Sequence, residues 1–121
     1  MSITTKQKDC TIFRFPGGSH NTLVRNAHGS SFTENIILKL NEQGINCYDW
    51  NVDSGDAKGN NIPAATIYNN VVKESRDKNG ELKSPAIVLM HDCMTKTTTV
   101  EALPKIIQYF KEQGYKFDTL N

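Results

Sequence analysis

The sequence has 121 residues, 37% of them apolar, and fourteen basic against thirteen acidic side chains leave a net charge of +1. That size and composition suit one globular domain, residues 1–121, whose single core needs no disulfide staples. Balanced charge without a basic run argues against a nucleic-acid or anionic-membrane partner, and no stretch approaches the roughly 20 apolar residues of a membrane span.

The amino terminus, MSITTKQKDC, lacks the apolar segment of a secretory signal. Cys10, Cys47 and Cys93 are odd in number and widely spaced, so they read as small apolar residues near strands rather than as a disulfide framework or a paired-cysteine zinc site. CTIFRF (10–15) is a short strand rich in β-branched and aromatic residues, and it runs through Arg14 into the glycine-rich loop Pro16-Gly17-Gly18. In SSFTENIILKLNEQG, Ser31 and Glu34 have capping-box spacing, Phe32, Ile36, Ile37 and Leu40 share a helical face, and Gly44 stops the helix. INCYDWNV (45–52) reads as a second strand, with the imperfect alternation of one buried on both faces.

SGDAKGNN is a loop, and Pro63 suits the first turn of a second helix whose buried stripe is Ala65, Tyr68, Val71 and Val72. RDKNGELKS (76–84) is polar, with a turn at Asn79-Gly80, and leads to AIVLMH (86–91), the most strand-like run of the chain. Thr98 and Glu101 again have capping-box spacing. Val100, Leu103, Ile106, Ile107 and Phe110 share a face up to Gly114, and Pro104 argues for a late start or a bend. YKFDTL (115–120) is a closing strand.

Strands alternating with helices predict an α/β fold with parallel pairing through right-handed crossovers. Ligands gather at the carboxyl ends of such strands, which here carry Arg14 with its glycine loop, the run from Asp49 to Asp56, and His91 with Asp92. Each group has a plain reading and a chemical one. Arg14 can pair with a structural carboxylate, and PGG can be a tight turn or a backbone approach with N–H groups free to stabilise an oxyanion. Asp53 and Asp56 can serve as turn and cap residues, and His91 as a core histidine or a proton carrier. A cysteine hydrolase using Cys93, two residues from His91, is a further reading.

RFPGGS, WNVDSGD and IVLMHD, in this order, resemble the later motifs of the polysaccharide deacetylases, the carbohydrate esterases of family 4 that share the NodB homology domain. TVEALPKIIQYFKEQGYKFDTL is similar to that domain's last helix and strand, so the resemblance runs from Cys10 onward and is greatest to the bacterial enzymes acting on N-acetylglucosamine in peptidoglycan. It implies parallel strands alternating with helices as part of a distorted (β/α) barrel. It also implies a hydrolase that removes the N-acetyl group with a divalent, zinc-like metal, an aspartate base and a histidine acid.

By the same resemblance His91 is the acid, Asp56 its aspartate partner, and Arg14 the arginine that orients the base. Pro16 precedes Gly17, whose N–H faces the oxyanion, and Leu89 walls the acetyl pocket. Ala57 stands where many members have a groove tryptophan; Trp50, upstream, is a core or rim residue taken here with the substrate-binding candidates. These groups are expected to meet around one pocket.

The family's first two motifs, with the base, a metal-binding aspartate and two spaced histidines, have no counterpart. His20 and His28 lie eight apart in a polar loop, a poor metal pair, so no metal ligand is assigned. The chain is thus expected to carry the acid and oxyanion half of a deacetylase site and to be inactive alone. Its open sheet edges call for self-association or for pairing with a missing amino-terminal half. The implied partner is an acetylated polysaccharide, and the implied location is extracellular or the cell envelope. A noncatalytic carbohydrate-binding or remnant module, with Trp50, Tyr48 and the loop aspartates on sugar, is the alternative.

Overall fold

The computed structural model describes residues 10–29 and 31–120. The amino-terminal reading over residues 1–9, and Ser30, lie outside the described residues. Those up to Asp49, with Thr119 and Leu120, form one compact unit, and Trp50–Asp118 forms another.

In the first unit, β1 (Ile12–Phe13) pairs in parallel with β2 (Asn46–Cys47), Ile12 opposite Asn46 and Phe13 opposite Cys47. Between them run α1 (Thr22–His28) and α2 (Phe32–Glu42). Helix α1 occupies what the sequence suggested was a polar loop. It forms because the Asn21 side chain accepts the Leu23 N–H at 2.9 Å, an N-cap, and Gly29, with φ of 88°, ends it. The Ser31–Glu34 capping box is not made: Ser31 caps without a side-chain bond, and Glu34 instead pairs with Arg25 at 3.2 Å. His28 stacks on Phe32, centroids 4.5 Å apart. Among the described residues of this unit no apolar side chain is fully buried, and Phe32, placed in the α2 stripe, is exposed.

In the second unit, β3 (Val52–Asp53) pairs in parallel with β4 (Val88–Leu89), Val52 opposite Val88 and Asp53 opposite Leu89. The 3₁₀ turn Asp56–Lys58 and α3 (Ala64–Glu74) join these strands, and α4 (Thr97–Glu112) follows. The core is Val52, Ile67 and Val71 from β3 and α3 with Ala102, Ile106, Tyr109 and Phe110 from α4. The one polar tip in that cluster is satisfied, since the Tyr109 hydroxyl shares a hydrogen bond of 2.6 Å with buried Ser75.

Four expectations change. The strand expected over 45–52 is two strands with different partners, because side chains between them compete for backbone groups. Asn51 donates to the Pro85 carbonyl at 2.8 Å and accepts the Ile87 N–H at 2.7 Å. Helix α4 runs through Pro104 and starts at Thr97, with Lys96 as a cap that makes no side-chain cap bond, so the Thr98–Glu101 box is absent. Its buried face includes Thr99, Ala102 and Tyr109, while Val100 and Leu103 are exposed; on α3, Ile67 is buried and Ala65 exposed. Residues 115–120 form no strand. Tyr115 is drawn to the end of α4 instead, its N–H on the Phe110 carbonyl at 3.0 Å and its ring edge-on to Phe110.

Candidate active site

The second unit builds its site on a turn. Gly55 adopts a left-handed φ of 72°, and a Cβ there would meet the Asn70 amide at 2.7 Å, so the turn and α3 approach more closely than any side chain allows. Asn70 donates to the Ser54 carbonyl at 3.0 Å, and the Asp53 carboxylate accepts the Gly55 N–H at 2.8 Å. The turn thereby carries Asp56 inward, where it is 1% exposed.

His91 stands just past β4. Its backbone N–H donates to Asp56 Oδ2 at 2.8 Å and its ring Nδ1 to Oδ1 at 2.7 Å. Thr99, in the first turn of α4, donates its hydroxyl to Oδ2 at 2.8 Å. Lys96 reaches back with its ammonium to the carbonyls of Asp56, at 2.8 Å, and Gly59, at 2.9 Å. Burial alone would raise the Asp56 carboxyl, but the His91 and Thr99 hydrogen bonds and the imidazole's charge outweigh it and hold the group below its ordinary range. An ionised Asp56 can only accept, so Nδ1 carries the proton and proton exchange with a reactant falls to Nε2. The ring is partly open to solvent, at 39%, which such exchange requires. Leu89 is half-buried at the end of β4, and Trp50 is half-buried ahead of β3.

Arg14, Pro16 and Gly17 belong to the first unit. Arg14 is exposed, just past the end of β1 at Phe13. The loop after it is a built turn: Gly18 donates to the Phe15 carbonyl at 2.8 Å, and Ser19 is tied to Asp49 by its N–H at 2.9 Å and by its hydroxyl. Gly17 has φ of 76°, and a Cβ on it would lie 2.4 Å from Asn21 Nδ2, which donates to the Pro16 carbonyl. Gly17→Ala is therefore expected to cost about 2 kcal/mol, from left-handed strain and disturbance of the α1 cap, and urea unfolding will measure it. A loss below a few tenths would show that the loop relaxes freely.

Over 107 residues, 84% of its length, the chain is 33% identical to the peptidoglycan-N-acetylglucosamine deacetylase of Bacillus cereus (strain ATCC 14579) and covers 36% of that protein. It superposes on a CE4 esterase of Streptococcus mutans with a TM-score of 0.72 and 31% identity, covering 92% of this chain and 44% of that one. The catalytic domain of peptidoglycan N-acetylglucosamine deacetylase from Eubacterium rectale ATCC 33656 matches with a TM-score of 0.74 and 30% identity, over 94% and 48%. No family model matches. The chain belongs to the polysaccharide deacetylase family. It corresponds to the carboxyl-terminal portion and spans less than half the length of these relatives. Its parallel strands and helices are part of the NodB type of distorted (β/α) barrel.

The zinc-like ion implied by this family does not fit the residues described. Among them no group of three or more His, Cys, Asp or Glu side chains is placed to hold a metal. His20 lies 3.2 Å from the Arg25 guanidinium and His28 is stacked on Phe32. No chemical step is therefore assigned to a metal.

The cysteine reading changes as well: Cys10 and Cys93 are exposed and only Cys47 is half-buried. Cys93 Sγ contacts the Thr95 hydroxyl at 3.4 Å, while His91 Nδ1 is bonded to Asp56. Lys96, Thr99 and Asn70 escaped the sequence reading. Each acts on the Asp56 turn from a distant position, and a short-range pattern carries no signal of that.

Proposed function

We propose that residues 1–121 are one portion of a single polysaccharide deacetylase domain that hydrolyses the N-acetyl amide of N-acetylglucosamine in a cell-wall polymer such as peptidoglycan, at the cell envelope. This chain supplies the acid side of the site. Cleaving an acetamide requires water added to the carbonyl carbon and a proton delivered to the nitrogen as the C–N bond breaks; His91 delivers that proton from Nε2. Asp56 keeps Nδ1 protonated and stabilises the imidazolium that must form first. The observation that carries this reading is the buried Asp56 carboxylate holding a half-exposed imidazole at 2.7 Å.

Arg14, Pro16, Gly17, Leu89 and Trp50 keep the orienting, oxyanion and substrate-binding roles that the resemblance gives them. Activation of the water needs groups beyond those described here, so the isolated chain is inactive and its partners are the polymer and the amino-terminal half of such a domain. The purified chain, supplied with zinc, is expected to release no acetate from chitin oligomers or peptidoglycan. Joined to the amino-terminal portion of the Bacillus cereus relative it should release acetate, and His91→Ala should lower that rate by about 10²–10⁴. Acetate release by the chain alone would remove the half-site reading, and a joined protein indifferent to His91→Ala would remove His91 as the acid.

A further inference from the structure

Asp56 has two ways to move out of line with His91: its carboxylate can rotate, or the short turn that carries it can shift. Both are blocked, and by residues outside the Asp–His pair. Rotation is opposed at Oδ2, which accepts both the His91 N–H and the Thr99 hydroxyl at 2.8 Å and so leaves Oδ1 to the imidazole. The turn is clamped by Lys96, whose ammonium bridges the carbonyls at its first residue, Asp56, and just past its end, Gly59. An ammonium has three donors and no acceptor, so two carbonyls 2.8 and 2.9 Å away use it as a cross-link rather than as a counter-ion.

We propose that Lys96 and Thr99 are positioning residues for His91, holding the Asp56 carboxylate and its turn so that the imidazole keeps its proton on Nδ1 and presents Nε2 to the reactant. This rests on the reading of His91 as the proton donor. Both residues lie in the segment that leaves His91 and enters α4, so one short stretch supplies the imidazole, the clamp and the carboxylate's last donor. The charged groups at Asp56 are His91 from the end of β4 and Lys96 from the cap of α4. Helix α3 places the neutral Asn70 amide on Ser54, and its Lys73 and Glu74 line a pocket with Asp53 and the exposed Lys58 beside the turn.

Long-range proton–nitrogen NMR of the imidazole reads the ring tautomer, and carbon NMR of the carboxyl follows Asp56 through acid titration. Neither readout depends on catalysis. In the unaltered chain neutral His91 should carry its proton on Nδ1. Thr99→Val and Lys96→Met should each lower the ratio of Nδ1–H to Nε2–H by about fivefold, the worth of one net hydrogen bond. Thr99→Val should also move the Asp56 titration upward, and Thr99→Ser should restore both readouts. Thr99→Ala carries the same expectation should the valine variant fail to fold. Variants that leave both readouts unchanged would overturn the proposal. A joined enzyme indifferent to His91→Ala would instead overturn the acid reading and leave the clamp standing, so the two failures are distinguishable.

Discussion

Replacing Asp56 with alanine is expected to destabilise the second unit by about 3 kcal/mol. The carboxylate is 1% exposed and accepts from the His91 N–H, the His91 ring and the Thr99 hydroxyl. Removing it strands two buried or half-buried donors and lets the imidazole turn. Asp56→Asn should recover little, because an amide offers one oxygen where three donors converge. Urea unfolding near neutral pH, followed by the fluorescence of the single tryptophan, Trp50, measures both.

The pH dependence of this loss has a definite sign. Asp56 is held below its ordinary value in the folded state, so the unfolded chain binds a proton there first as pH falls. The stabilisation is present above the unfolded carboxyl value of about 4 and is lost as pH drops through the lower folded value. The gap between the unaltered chain and Asp56→Asn should therefore shrink on acidification below about pH 4. A gap that stayed constant would show that Asp56 is not ionised in the fold.

Phe110→Ala should cost about 3–5 kcal/mol, a large part of what a domain of this size has to lose. Phe110 is 4% exposed and meets Tyr109 and Tyr115 edge-on, with centroids 5.2 and 5.0 Å away. Its loss opens a cavity beneath α4 and frees the contact that draws Tyr115 to the helix end. Val100→Ala is the control: the two residues were placed on one apolar face, but Val100 is 67% exposed and its truncation should change stability by less than about 0.5 kcal/mol. Equal effects from the two would mean that α4 buries another face.

That contrast shows where sequence periodicity stops. The apolar spacing of α4 admits Val100 and Leu103 on the same stripe as Ile106 and Phe110, yet the helix turns Ala102 and Tyr109 inward, because α3 packs along that side. Ser75 inside the core also accounts for buried Tyr109, since it meets the hydroxyl that would otherwise keep Tyr109 near water.

The three longer helices and the parallel sense of both strand pairs were legible in the chain from apolar spacing and the alternation of strands with helices, and the Asp56–His91 pairing from the family resemblance of their motifs. Helix α1 carried a readable signal in Asn21 and Gly29 that the surrounding polar residues masked. The division of residues 45–52, the exposure of Arg14 and the absence of a strand at 115–120 were decided elsewhere. Asn51 bonds Pro85 and Ile87 far along the chain, β1 stops at Phe13, and Tyr115 turns back onto Phe110. The same holds for Lys96, Thr99 and Asn70: a lysine, a threonine and an asparagine have no distinguishing pattern until folding brings carbonyls and a carboxylate within 3.0 Å of them. The resemblance of two short motifs paired His91 with Asp56, while only long-range contact could supply the residues that hold them in line.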